Sequence, residues 1–284
     1  MMKTSIIIQA RMASSRLPGK VLLDIGGKPM LEWVVKRASR TETVDNVVVA
    51  TTTERSDDPV FEFCQERGYL VERGSSPDVL DRYYQTAKAN SAEIICRITA
   101  DCPLIDPDLI DNAVNILKNG SESEKKNLRS RPTRFDCTAN RFPEPFHRTF
   151  PIGLDIEVFT FRILAQAWEM AGEIHQREHV TPYFYEDIPA DHLQVQHPFT
   201  PFTVAESPKG YQVALMHHEP DFGALRWTVD TPEDLEFVRK VVSFFPDDRF
   251  SWHDVLELIK AYPELSHINE QVKHKTHFDV DERQ

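Results

Sequence analysis

The sequence predicts an α/β fold, a doubly wound, mainly parallel sheet of Rossmann-like type. Three short apolar runs, Ser5 to Gln9, Val47 to Thr52 and Glu93 to Thr99, alternate with amphipathic helical patterns over the first 120 residues. Runs with so little polar interruption suit strands covered on both faces, as in parallel sheets. Strand and helix in alternation imply right-handed crossovers that place helices on both sides. Polar clusters rich in Arg, Lys or Asp follow the first run, the third run and a later one near residue 229. The carboxyl ends of parallel strands are where such sheets bind ligands.

The elements follow in order. After the first run, Pro29 suits a first helical turn, with Leu31, Val34, Val35 and Ala38 along one face. Ser56 is the expected cap of the next helix, with Asp57 and Asp58 early and Gly68 just past its end. Asp106-Pro107-Asp108 opens a further helix that closes at Gly120. Ser121 to Asp136 is polar and reads as a loop. From about 137 to 225, strand-like pieces (Leu154 to Phe159, Leu193 to Gln196, Tyr211 to Leu215) mix with a helical stretch from about 160 to 185, the pattern of an inserted α+β lobe. Leu225 to Val229 reads as a returning strand. Thr231-Pro232-Glu233-Asp234 then supplies a cap, a first-turn proline and two acids for the positive end of the dipole. The expected organisation is one domain over 1–240 carrying that insertion, then a helical extension over 241–284 with a polar tail.

Composition excludes several classes. The 284 residues carry a net charge of −12, whereas nucleic acids and anionic membranes call for broad basic surface. No stretch approaches the roughly 20 apolar residues of a membrane span. The N-terminus shows no basic segment followed by an apolar one, so a cytoplasmic protein is expected. Cys64, Cys96, Cys102 and Cys137 lack C-x-x-C spacing and are expected to be reduced, partly buried thiols.

Within this acidic chain, A-R-M-A-S-S-R-L-P-G-K (10–20) gathers Arg11, Arg16 and Lys20 after the first strand. Asp101 follows the Glu93 strand, and Asp230 follows the run ending at Val229. Arginine forks, a lysine and free backbone amides suit phosphate groups. Two carboxylates beside a polyphosphate suit Mg²⁺ or Mn²⁺. A nucleoside triphosphate with its metal would meet both demands, although charged loops are also commonly just solvated. Asp106 and Asp234 are accounted for as helix caps. G-x-x-x-x-G-K-[ST] is absent, because Gly19-Lys20 is followed by Val21, and no G-x-G-x-x-G opens the first helix. H175-Q-R-E-H179 matches the inverted zinc-peptidase pattern and is kept as a rival reading with Glu178 as base.

These residues resemble the cytidylyltransferases that activate acidic sugars, the CMP-sialic acid and CMP-Kdo synthetases and above all the spore coat polysaccharide biosynthesis protein F group. The likeness lies in A-R-M-A-S-S-R-L-P-G-K-V-L with G-G-K-P-M-L, in R-G-S-S-P-D-V-L-D-R-Y-Y (73–84), R-I-T-A-D-C-P-L-I-D-P (97–107), P-I-G-L-D-I-E-V-F (151–159), R-E-H-V-T-P-Y (177–183) and W-T-V-D-T-P-E-D-L (227–235). It implies a nucleotide-diphospho-sugar transferase-like fold and transfer of CMP from CTP to an acidic sugar with release of pyrophosphate. It also gives H175-Q-R-E-H179 a place in a block that carries no zinc. By resemblance, Ala10, Arg11, Ser14, Ser15, Arg16, Lys20 and Thr99 would line the nucleotide site, with Arg73, Asp78 and Arg82 near it. Lys20, Arg11 and Asp101 would carry catalysis, Asp101 and Asp230 would hold the metal, and Asn140, Asp155 and Glu157 would face the sugar. A homodimer closing through the inserted lobe is implied as well. A glycosyltransferase of the related fold is the alternative; its D-x-D signature is missing at Asp101-Cys102-Pro103.

Overall fold

A computed structural model describes residues 2–119, 134–142, 147–189, 194–195 and 202–273. The polar stretch read as a loop lies mostly outside them, as do Gly120 and the tail after 273. β1 (Thr4–Gln9), β4 (Asn46–Thr52), β5 (Leu70–Gly74) and β6 (Ile94–Thr99) form the parallel part of a nine-stranded sheet, with a short hairpin of β2 (Asp24–Ile25) and β3 (Lys28–Pro29) beside it. The sheet continues through β8 (Glu157–Thr160), β7 (Cys137–Ala139), β11 (Gln212–Met216), β10 (Phe202–Glu206) and β9 (Gln194–Val195). The full order is β5-β4-β1-β6-β8-β7-β11-β10-β9, and only β8 and β10 run against the rest. Strands from the segment expected to form an inserted lobe therefore extend the same sheet.

Side chains of β1 alternate between the two faces, as the strand period demands. Ile6 and Ile8 pack with Val34 of α1 (Met30–Ala38), Ile110 of α4 (Pro107–Asn119) and Val238 of α8 (Pro232–Val242). Ile7 faces the other layer, with Leu80 and Tyr83 of α3 (Val79–Ala89) and Leu164 of α5 (Phe161–Met170). Both faces are thus covered, which is why the runs read as nearly continuous apolar strands.

Several local expectations need correction. Pro29 ends β3 and occupies the N-cap of α1 instead of its first turn. Ser56 lies in a 3₁₀ turn; the next helix, α2 (Asp58–Arg67), starts after Asp57, whose carboxylate is drawn away to Thr52 and to the Met12 amide. The 160–185 stretch is three helices, α5, α6 (Ile174–His179) and α7 (Pro182–Tyr185), divided where Val180 takes a φ of 72° and Pro182 cannot continue the previous helix. Sequence reading left out α3, although Asp78 caps it by accepting from the Asp81 amide. It also left out β5 and β10.

The main departure is Leu225 to Val229, which forms no strand. The segment crosses the rim of the sheet with a bend at Thr228: Trp227 N donates to Ile152 O (2.6 Å) and Val229 N donates to Asp101 O (2.9 Å). A single parallel bridge, Ile152 to Arg226, is its only ladder contact. Gly153 makes that approach possible. Its φ is +105°, and a Cβ there would lie 2.4 Å from Thr228 N and 2.6 Å from the Trp227 carbonyl carbon. Gly153→Ala combines left-handed strain with a backbone collision, and it is expected to destabilise the fold by about 2–4 kcal/mol. Urea unfolding of the variant beside wild type measures this.

Candidate active site

The loop after β1 is shaped by its own backbone. Gly19, at φ 71°, lets its N–H turn back to Met12 O (2.8 Å), closing residues 12–19 and feeding Lys20 into a short 3₁₀ turn. The Met12 amide donates to Asp57 Oδ1 (2.6 Å), which ties the loop to the entrance of α2. Lys20 is thereby delivered, buried, to the rim.

There Lys20 Nζ donates to Asp101 Oδ2 (2.7 Å), Asp230 Oδ1 (2.8 Å) and the Val229 carbonyl (2.9 Å). Asp101 leaves the end of β6, its Oδ1 held by Thr99 Oγ1 (2.6 Å). Asp230 closes the rim-crossing segment, and its Oδ2 receives Arg16 (2.7 Å) and Arg226 (2.9 Å). The three chain regions meet at a pocket of about 210 Å³. Arg11, Ser14, Ser15 and Arg16 line one side, with Lys20, Thr99, Asp101 and Asp230 on the others.

Other residues singled out from the sequence lie elsewhere. Ala10 is buried, its amide donating to Ala50 O (3.1 Å). Arg73 donates to the carbonyls of Thr52 (2.7 Å) and Glu54 (2.9 Å) and pairs with Asp58 (2.7 Å). Asp78 caps α3 and receives the guanidinium of Arg177 (Nε, 2.9 Å). Arg82 is 2% exposed and donates to Ser75 O (2.7 Å); burial pulls it down to about 10. None of Arg73, Asp78 and Arg82 lines the pocket. They brace the wall that holds it.

Asn140, Asp155 and Glu157 also stand back from the pocket lining. Asn140 bridges backbone, donating to Leu154 O (2.6 Å) and accepting from Ile156 N (2.9 Å). Glu157 is buried against Arg97 and accepts from Thr181 Oγ1 (2.7 Å). Asp155 pairs with Arg148 (2.5 Å). Arg141 stands between these acids; burial, the largest effect, pulls it down, but Asp155 and Glu157 carry it above its ordinary value.

Of the polar pocket residues, Gln9 escaped sequence reading and Glu178 was read there only as the base of the rival peptidase. Gln9 lines the pocket with a buried Oε1 that has no hydrogen-bond partner. Its signal was being the one long polar side chain at the end of an apolar run. Glu178 reaches the same pocket from α6. It sits inside the H-x-x-E-H pattern, whose His175 instead pairs with Glu186, while Gln176 donates to the same carboxylate (2.7 Å). Among the described residues no group of three or more His, Cys, Asp or Glu is arranged to hold a metal ion.

A family model described as cytidylyltransferase matches residues 5–261. The chain belongs to the cytidylyltransferase family. It is 30% identical over 240 residues to the spore coat polysaccharide biosynthesis protein SpsF of Bacillus subtilis, covering 82% of this chain and 83% of that one. It is 30% identical over 255 residues to the 3-deoxy-manno-octulosonate cytidylyltransferase of Geotalea daltonii, covering 84% of this chain and 97% of the relative. Among solved structures, a cytidylyltransferase from Leptospira borgpetersenii superposes with a TM-score of 0.77 at 32% identity, over 98% of this chain and 100% of that one. No helix among the described residues is long and apolar enough to cross a membrane.

In this cytidylyltransferase the rim is strongly polarised. Burial is the largest influence on Lys20 and works against its charge, yet Asp101 and Asp230 outweigh it and hold the ammonium above its ordinary value. Burial likewise opposes ionisation of Asp230, but Lys20, Arg16 and Arg226 override it and keep the carboxyl well below the usual range. The Cys102 thiol, enclosed behind Asp101, is pushed up by burial. A carboxylate depressed in the folded state contributes stability that is complete above its unfolded value of about 3.9 and is lost as pH falls through the folded value. The unfolding temperature should therefore decline as pH drops below about 4. Asp230→Asn should show a shallower decline over the same interval, measured by calorimetry in parallel with wild type.

Proposed function

We propose that the protein transfers CMP from CTP to a hydroxyl group of an acidic sugar, with release of pyrophosphate. Membership of the cytidylyltransferase family supplies the nucleotide. The observation that carries the rest is the meeting of Lys20, Arg16, Asp101 and Asp230 at one pocket that Arg11 also lines. Three guanidiniums, of Arg97, Arg141 and Arg148, stand among Asp155 and Glu157 on the neighbouring strand ends. That local excess of positive charge favours an anionic acceptor. The relative named for 3-deoxy-manno-octulosonate acts on a sugar of that class.

Mg²⁺ or Mn²⁺ fits the donor set. Asp101 and Asp230 already turn one oxygen each toward a single cation, the Lys20 ammonium, at 2.7 and 2.8 Å. Two carboxylates completed by phosphate oxygens and water are what a hard dication asks of such a site. When bound, it would neutralise charge on the phosphate oxygens. The protein's own part is positioning. Arg11 and Arg16 would hold the polyphosphate, the loop hydroxyls of Ser14 and Ser15 would orient it, and Lys20 would stabilise charge on the departing pyrophosphate. Gln9 Oε1 would accept from the nucleoside. Asn140 and Glu157 would act behind the acceptor by holding the 154–157 segment in place. The proposal includes a homodimer; Met170 and Ile174, 68% and 69% exposed on α5 and α6, offer an apolar face for it.

Pyrophosphate release from CTP across a panel of acidic sugars tests the reading, and silence on every acceptor with intact CTP binding would overturn it. Asp101→Asn should abolish turnover while weak CTP binding persists; full activity in that variant would remove Asp101 from the metal site. Lys20→Ala should lower kcat by a factor on the order of 10²–10³, the usual cost of one lost charge-stabilising group.

A further inference from the structure

Asp234 was accounted for from the sequence as a helix cap, and it does cap α8 through a reciprocal box with Thr231. Its surroundings exceed that task. The carboxylate is fully buried and receives five donors: Arg226 Nε and Asn269 Nδ2 on Oδ1 (2.9 Å each), and Arg226 Nη2 (2.9 Å), Asp230 N (3.0 Å) and Thr231 N (3.1 Å) on Oδ2. Arg226 Nη2 is shared, because it also donates to Asp230 Oδ2 at 2.9 Å. One guanidinium therefore links a buried anchor to the carboxylate at the pocket. It leaves Asp230 Oδ1 directed at Lys20.

The far end of this link belongs to the C-terminal segment. Asn269 follows α9 (Trp252–Ala261) and the 3₁₀ helix over Pro263–Ile268. It is 4% exposed, and its one amide nitrogen serves both Asp234 Oδ1 and the Arg226 carbonyl (3.0 Å). Four residues later the Lys273 carbonyl accepts from Arg16 Nη1 (3.4 Å), whose other nitrogen holds Asp230. The segment thus touches the Arg16 guanidinium directly and reaches the Arg226 guanidinium through Asp234. Beside it lies a cavity of about 330 Å³ bounded by Leu225, Trp227, Phe237, Asn269 and Val272. Leu265 and Ile268 pack the segment onto the core, and these hydrogen bonds fix the polar end of it against the site.

We infer that Asn269 is a positioning residue for Asp230, acting through Asp234 and Arg226, so that the segment over 263–273 sets the aim of a metal-binding carboxylate it never touches. The inference rests on the reading of Asp101 and Asp230 given above. Removing Asn269 Nδ2 deprives both Asp234 and the Arg226 carbonyl of a donor. Asp234 keeps four donors, but its Oδ1 is then held by Arg226 alone, and the guanidinium can shift and carry Asp230 Oδ2 with it.

Two variants test this: Asn269→Ala removes the donor, and Asn269→Asp keeps the volume but sets a second carboxyl against Asp234. Glu270→Ala, at the exposed neighbouring position, is the control. The first readout is Mn²⁺ titration of the protein with CTP and no acceptor, followed by electron paramagnetic resonance. Loss of an outer partner of a metal ligand typically weakens metal binding by about 10–100-fold. Both Asn269 variants should bind Mn²⁺ at least about tenfold more weakly. Their CTP affinity in EDTA should stay within about twofold of wild type, in keeping with an effect confined to the metal ligand. In turnover, the Mg²⁺ concentration for half-maximal rate should rise in step, with kcat largely recovered at saturating metal. Equal Mn²⁺ affinity in wild type and Asn269→Asp overturns the inference. So does a parallel loss of CTP affinity in EDTA and of thermal stability, which marks a merely structural residue. Wild type that binds no Mn²⁺ with CTP overturns the metal reading and this inference together, whereas a wild-type response unchanged in both variants removes only Asn269.

Discussion

The ammonium of Lys20, held between Asp101 and Asp230, is the contact on which the rim of this protein depends. It joins residues 81 and 210 positions apart in the chain. Each reaches the rim by a different device. Lys20 comes by a loop that Gly19 allows to fold back on Met12, Asp101 by the end of a buried parallel strand, and Asp230 by a segment hung on Ile152 and on the Asp101 carbonyl. Two carboxylates this close would repel each other and splay apart. A buried cation between them removes that repulsion, and its three short hydrogen bonds offset the loss of water around the charge. The carboxylates are therefore held in place before any ligand arrives.

The support for this contact extends well beyond the pocket. Arg37 of α1, fully buried, donates to the carbonyls of Ile105 (2.7 Å), Asp248 (2.7 Å) and Phe250 (3.0 Å). It fastens the loop that follows Asp101 to the chain before α9. Asp106 Oδ2 accepts from the Trp252 amide (2.8 Å), and Phe250, Trp252, Val255 and Leu265 share one core with β1. The described residues after 245 therefore form the back of the same rim. A charge triad at the surface of a sheet stays in register only if the elements carrying it cannot slide, and these buried polar ties prevent sliding.

How much of this was legible in the sequence follows from whether a signal is local. The parallel strands β1, β4 and β6 were, because burial on both faces leaves a one-dimensional trace of branched apolar residues. Thr231-Pro232-Glu233-Asp234 was, because a cap is decided within four residues. The meeting of the cationic loop and the two aspartates was legible, because residues that follow parallel strands are delivered to one edge of the sheet. Leu225 to Val229 failed because a strand and a rim-crossing segment can share one apolar composition; only the partner decides, and Ile152 lies more than 70 residues away. Arg73, Asp78 and Arg82 stand in motifs beside the site, yet their side chains turn to backbone carbonyls and to Arg177, which no spacing reveals. Asn269 carried no signal, because its role exists only once Arg226 and Asp234 are folded beneath it.

The balance of charge gives the arrangement its sense. A chain of net charge −12 repels anions at long range, but salt screens that field over about 8 Å at physiological ionic strength. Inside a partly enclosed pocket the nearest charges govern. Arg16 and Lys20 are paired there with Asp230 and Asp101, so the site as it stands is close to neutral and does not present bare cations to every passing anion. A ligand that brings only negative charge would have to compete with those carboxylates. One that arrives as a phosphate chain with a dication supplies a partner for each side at once: oxygens for the guanidiniums and the ammonium, and a positive ion for the two aspartates. On the function proposed above, an internally paired rim would discriminate against simple anions and in favour of metal-bound polyphosphate, and that selectivity would come from the geometry of the pairs, with the net charge contributing little at such range.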